Sequence, residues 1–125
     1  MFSELSKGNS QPFIESLADD VHWKITGNTK WSKTYKGKQA VLKELLAPLR
    51  AKFANQYTAV PHRFIAEDDF VVVEFSGYVK TKVGMPYNNS YCYVYRLAEG
   101  KVRELTEYLD TELVAAALGE PAPPE

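Results

Sequence analysis

The chain has 125 residues, 45% of them hydrophobic and 25% charged, which fits one globular domain able to bury a core without staples. Its 15 basic and 16 acidic side chains leave a formal charge of -1, and no basic block supplies the electrostatic footprint of a nucleic-acid binder. No apolar run approaches the roughly 18 residues that mark a membrane span, and the opening MFSELSKGNS lacks the basic-then-apolar order of a signal peptide.

The single cysteine, Cys92, has no internal partner, so a reducing, cytoplasmic setting is expected. His22 and His62 are far apart and lack metal-ligand spacing. No metal and no cofactor are expected.

Residues 2–6 read as a short helical turn ending at Gly8. Asn9 and Ser10 are helix-capping types, and Pro12 suits a first turn. Phe13, Ile14 and Leu17 give that helix one apolar face, and Asp19-Asp20 ends it. Val21, Trp23 and Ile25 alternate with His22, Lys24 and Thr26, which is strand periodicity. Gly27-Asn28 is a turn signal. Residues 29–37 are polar, with Trp31 and Tyr35 embedded. A long helical pattern then carries Val41, Leu42, Leu45, Leu46, Leu49 and Phe53. Pro48 predicts a kink or an end within it.

The remainder reads as β. YTAVPHRFIAED is a strand weakened by Pro61, and Asp68-Asp69 is a tight turn. FVVVEFSGYVKTK is a long strand in which Gly77 predicts a bulge or bend. YNNSYCYVYRL and VRELTEYL form a hairpin around Glu99-Gly100. DTELVAAALG is a closing helix ended by Gly119. This order gives an α+β domain over residues 1–119 and a tail over 120–125 with no means to pack. A long curved sheet with helices on one face forms a cone, and the space between sheet and helices suits a ligand.

Five stretches carry a resemblance: LADDVHW, YKGKQAVLKEL, VVVEFSG, YNNSYCYVYRLAEGKVRELTEYLDTELV and the closing ALG. The chain resembles the SnoaL-like and ketosteroid-isomerase-like proteins of the nuclear-transport-factor-2-like superfamily, over nearly its whole length. The resemblance implies a cone-shaped α+β fold, a curved mixed or antiparallel sheet wrapped around N-terminal helices (the cystatin-like α+β barrel). It also implies a hydrophobic pocket and frequent dimers. It implies no single activity, since isomerases, polyketide cyclases, epoxide hydrolases, dehydratases and binders share the fold. Carried over by spacing, the ketosteroid-isomerase base falls near Ile25 or Thr26, neither of them an acid. The oxyanion-hole aspartate falls near Cys92. The Arg-x-Asp pair of limonene-type epoxide hydrolases meets Phe75 and Gly77. The acid that those hydrolases and SnoaL-like cyclases carry on the last strand meets Glu107.

A two-residue loop at Glu99-Gly100 sets Glu107 opposite Cys92 and Leu105 opposite Val94. Opposed residues share a face, so Glu107, Cys92, Ser90 and Asn88 are expected to line the concave side. Tyr91, Tyr93, Tyr95 and Tyr108 then fall on the outer side, where an aromatic stripe fits a homodimer interface. In an apolar cavity Glu107 becomes an acid or base with a raised pKa; at an edge it is a glutamate paired with Arg103. His62 is a candidate base partner or a surface histidine. Glu74 is a functional acid or a solvated convex-face residue. Trp23 points inward, as pocket wall or plain core, and His22 outward. Trp31 and Tyr35 are expected at the mouth, touching ligand or merely packing. Asn88 orients a ligand carbonyl or is strand polarity. Cys92 has no visible base partner and reads as a small buried residue. The sequence therefore predicts a pocket for a small hydrophobic molecule, with Glu107 as the acid-base residue of an isomerase, cyclase or hydratase. The alternative is a binding or dimeric interaction module of the same fold.

Overall fold

The computed structural model describes residues 2–121. The tail expected over 120–125 lies outside the described residues from 122 onward. Two short helices, α1 (Phe2–Leu5) and α2 (Gln11–Ser16), open the chain. Pro12 sits in the first turn of α2, and Asn9 Oδ1 accepts from the Gln11 amide at 3.2 Å. Ser10 caps without a side-chain bond.

Strand β1 (Leu17–Ile25) begins earlier than the hydrophobic alternation suggested, directly after α2. Val21, Trp23 and Ile25 are buried, while His22 and Lys24 face out, as the period of two requires. Strand β2 (Thr34–Lys36) emerges from the polar stretch and pairs antiparallel to β1, with Tyr35 beside Trp23. Three residues are too few to display a period, so this strand leaves no pattern to read.

The long helix runs unbroken through Pro48, as α3 (Lys38–Ala40), a π-helical segment (Val41–Leu46) and α4 (Ala47–Lys52). The Ala47 amide donates to the Leu42 carbonyl, one residue farther back than in an α-helix. The widened turn relieves the crowding that Pro48 imposes on the preceding carbonyls. Neither a break nor a sharp end results.

Strands β3 (Thr58–Glu67), β4 (Phe70–Tyr78), β5 (Ser90–Ala98) and β6 (Lys101–Leu109) form the expected meander. The sheet order is β2-β1-β6-β5-β4-β3, with β1 parallel to β6 and every other pair antiparallel. Pro61 lies on the edge strand β3 beside an irregularity in pairing, where a missing donor is tolerated. Gly77 is not a bulge. It pairs regularly with Ala59, and a Cβ there would stand 2.2 Å from the Tyr57 hydroxyl. The glycine makes room for that ring. Helix α5 (Thr111–Leu118) closes the chain, capped by Asp110 accepting from the Leu113 amide at 3.1 Å.

The decisive detail lies in the β5–β6 hairpin. Glu99 and Gly100 both have positive φ, 56° and 76°, as a two-residue loop of primed type needs. Ala98 pairs with Lys101 and Leu97 with Val102, as expected. Arg96 then pairs with Glu104, leaving Arg103 unmatched. That one-residue bulge shifts the rest of the strand. Glu107 consequently stands opposite Tyr93, and Tyr108 opposite Cys92. The faces assigned from the loop alone are exchanged for β5. Tyr91, Tyr93 and Tyr95 are buried on the concave side. Cys92, Val94, Thr106 and the half-exposed Tyr108 lie on the outer side.

The helices cover the concave face, and the core forms between. Phe75 stacks on Tyr91 with ring centroids 4.7 Å apart, and Tyr93 meets Phe75 edge-on at 4.7 Å. No described helix is long and apolar enough to cross a membrane.

Candidate functional site

Between the sheet and the helices lies a cavity of about 330 Å³. Strands β1, β5 and β6 supply Trp23, Ile25, Tyr91, Tyr93, Tyr95 and Glu107 to its wall. Phe13 and Ile14 of α2, Leu45 of the π segment and Val114 of α5 close the other side. Nearly all of these side chains are apolar or aromatic. Glu107 is the exception in the interior.

Glu107 is held from three directions. Its backbone carbonyl accepts from the Thr26 amide at 3.1 Å and from Thr26 Oγ1 at 2.9 Å, which fixes β6 against the end of β1. Its Oε1 accepts from Trp23 Nε1 at 2.9 Å. The Tyr93 hydroxyl, across the β5–β6 pair, also favours the ionised carboxylate. Trp23 is itself fixed by edge-on contacts with Phe13 at 5.7 Å and Tyr93 at 5.9 Å. Only 6% of Glu107 is exposed. Burial raises its pKa from an ordinary 4.5 to about 7, against the opposing hydrogen bonds of Trp23 and Tyr93. Arg103 does not reach it. That guanidinium pairs instead with Asp20 at 3.0 Å and Glu99 at 3.2 Å. The edge-glutamate reading therefore gives way to a buried acid that pairs with no cation among the described residues.

The phenols around Glu107 stay neutral. Burial pushes Tyr91, Tyr93 and Tyr95 well up, and Tyr87 up to about 12. They present aromatic faces and hydroxyl donors, not charge.

The other predicted residues divide. Trp23 and Trp31 line the cavity. Trp31 is buried rather than at the mouth, and its Nε1 donates to the Gly119 carbonyl at 3.0 Å. Tyr35 is packing: it lies outside the cavity lining, is buried, and donates its hydroxyl to the Trp31 carbonyl at 2.9 Å. His62 is on the outer face, exposed, with Nε2 2.7 Å from Ser76 Oγ. The bulge in β3 turns it there, so it is no partner for Glu107. Glu74 is the solvated convex-face residue, 3.3 Å from Arg63. Ser90 is exposed, and Cys92 is half-buried on the outer side. Asn88 accepts from the Val79 amide at 3.3 Å and lies outside the lining. Its neighbour Asn89, 1% exposed, does the structural work the sequence did not suggest. It ties Tyr87, Ser90 and Asp110 together at 2.8–3.1 Å. Among the described residues, no three His, Cys, Asp or Glu side chains group as metal ligands.

A family profile described as SnoaL-like domain matches residues 1–105. The chain belongs to the SnoaL-like family. Glu107 lies just beyond the matched span, so its place in the site rests on geometry. Comparison with curated protein sequences gives no match. Among solved structures, an NTF2-like protein of unknown function from Burkholderia pseudomallei superposes with a TM-score of 0.79 at 17% identity, covering 94% of this chain and 91% of its own. TerC co-crystallized with polyporic acid gives a TM-score of 0.77 at 19% identity, over 94% and 91%. A putative SnoaL-like polyketide cyclase from Jannaschia sp. gives 0.74 at 18%, over 97% and 88%. At such identities these likenesses show the fold. In this SnoaL-like chain, Ile25 occupies the register position beside Glu107.

The raised pKa has a thermodynamic consequence. Between about pH 4.5 and about pH 7 the folded protein keeps a proton on Glu107 that the unfolded chain releases. Stability therefore falls as pH rises across that interval, and the whole cost is present above it. The cost is on the order of 3 kcal/mol. Urea unfolding of wild type and Glu107→Gln at about pH 5 and about pH 8 measures it. Wild type is expected to lose stability relative to the variant at the higher pH. An unchanged difference between the two pH values contradicts a buried, uncompensated acid.

Proposed function

We propose that the chain binds a small hydrophobic molecule in the cavity and that Glu107 moves a proton on it without a cofactor. The observation that carries this reading is a carboxyl with a pKa of about 7 in an apolar cavity, held by Trp23 and opposed by no cation. A general acid or base works best when its pKa lies near the working pH. In the simplest step, ionised Glu107 takes a proton from carbon next to a ligand carbonyl, leaving an enolate. Return of the proton to a different carbon is an isomerisation, and attack of the enolate on a second carbonyl is an aldol cyclisation. Acid-assisted hydration or dehydration uses the protonated form. The polyketide cyclase among the fold neighbours and TerC's polyporic acid support an aromatic or polycyclic ligand. The lone thiol Cys92 fits a cytoplasmic protein.

A second reading, a binding module without chemistry, is favoured by one observation. Among the described residues no second carboxylate and no histidine lines the cavity with Glu107, and His62 faces the opposite side of the sheet. Deuterium exchange into 2-tetralone, followed by proton NMR, separates the two. Acceleration by wild type, rising with pH through about 7 as Glu107 ionises, and a loss of roughly 100-fold or more in Glu107→Gln are expected. Binding of 2-tetralone with no exchange selects the second reading.

We also propose a homodimer, relocated from the tyrosine stripe. Tyr91, Tyr93 and Tyr95 wall the cavity and have no surface to offer. The outer sheet face instead exposes Ile65, Phe70 and Tyr108, at 52%, 44% and 50%. These rings and branched chains are the apolar surface a second copy can cover. Analytical ultracentrifugation is expected to show a dimer for wild type and a monomer for the double variant Ile65→Arg, Tyr108→Arg. A monomeric wild type contradicts the proposal.

A further inference from the structure

The rim of the cavity differs from its interior. Among the lining residues only Arg50, Asn55 and Gln56 are exposed, so the mouth lies where α4 runs into β3. Arg50 and Glu107 are the two lining side chains that carry charge near neutrality, one at the rim and one inside. Arg50 Nη2 donates to Ser10 Oγ at 3.1 Å across the mouth. Among the described residues no carboxylate forms an ion pair with Arg50, whereas Arg63 has one and Arg96 and Arg103 have two each. The Asn55 side-chain carbonyl is already used by the Lys80 amide at 2.9 Å. A guanidinium fork, steadied by a hydroxyl and placed at the rim of an apolar cavity, matches one kind of ligand. That ligand has a hydrophobic body and an anionic end.

We propose that Arg50 anchors an acidic group, a carboxylate or an ionised enol, on the ligand whose ring system fills the tyrosine-walled interior. This rests on the pocket reading above and adds a ligand class and a specificity residue to it. Planar oxyanions take two parallel hydrogen bonds from a guanidinium, which a neutral alcohol cannot match. The volume of about 330 Å³ lies at the low end of ligand pockets, about 300–1,000 Å³, and suits a compact fused-ring acid rather than a long acyl chain. The anion stays at the wet rim, so it is not drawn into the dry interior beside Glu107.

Calorimetric titration with 2-naphthoate and 2-naphthalenemethanol tests the assignment. It is run at about pH 6, where Glu107 is largely protonated and the naphthoate is ionised. Wild type is expected to bind the carboxylate at least about tenfold more tightly than the alcohol, with a preference that shrinks as salt is raised. Arg50→Gln is expected to abolish the preference by weakening the carboxylate far more than the alcohol. Arg50→Lys is expected to keep part of it. Equal affinities in wild type, or a preference that survives in Arg50→Gln, overturn the role of Arg50. Alcohol binding that is then lost in the cavity-filling variant Leu45→Trp, shown folded by circular dichroism, still leaves the pocket reading intact. Failure of wild type to bind either probe counts against the pocket and the anchor together.

Discussion

Arg103 is one residue more than β5 can match, and the content of the cavity depends on that surplus. Before it, the hairpin pairs as its two-residue loop dictates. After it, Glu107 faces Tyr93 and the whole tyrosine row of β5 shares its side. The bulge is held in place on the surface, where the Arg103 guanidinium grips Asp20 and Glu99. Farther along β6, the Thr26 bonds to the Glu107 carbonyl stop any return to the unshifted register. A slip of one residue would turn Glu107 to the outside and bring Tyr108 in. Surface ion pairs of this kind are weak singly. Here they act with the burial of Leu105, Glu107 and the β5 tyrosines, and the face choice follows from the sum.

Once inside, Glu107 is poised by what surrounds it. Neutral phenols and aromatic rings provide little solvation for a carboxylate, so its proton is kept to about pH 7. Trp23 Nε1 is the larger of two counterweights, with the Tyr93 hydroxyl the other, and it also fixes the carboxyl in orientation. The same tryptophan is locked by Phe13 from α2 and Tyr93 from β5. Helix, sheet and acid are thus tied through a single indole. The cavity then divides by charge, with a titratable acid within and a guanidinium at the rim.

Much of the fold was legible in the sequence. The alternation from Val21 to Ile25 placed Trp23 inside, and Asp68-Asp69 and Glu99-Gly100 marked their turns. Helix and strand order identified the α+β class, and the five stretches from LADDVHW to the closing ALG carried the family resemblance. Glu107 was legible as an acid in an apolar strand. The companions of Glu107 were not. The bulge at Arg103 shows only as a change of phase, with Val102 and Leu105 both facing inward three residues apart, and an unbroken period of two puts Cys92, Ser90 and Asn88 on the face of Glu107 instead of the tyrosines. His62 was displaced by a second irregularity beside Pro61. Nothing local in a helix marks Arg50 as lying beside a cavity mouth. Asn89 looked like its neighbour Asn88, and only the packing of Tyr87 and Asp110 tells them apart.

The central claim is that Glu107 is an acid in a dry pocket. A carbon-detected NMR titration of the glutamate side-chain carboxyls, with Glu107→Gln to assign the signal, reads it most directly. The account predicts one carboxyl titrating at about pH 7 and absent from the variant. A Glu107 signal titrating near the ordinary value of about 4.3 means a solvated or paired side chain, and the proton-transfer reading then fails with it.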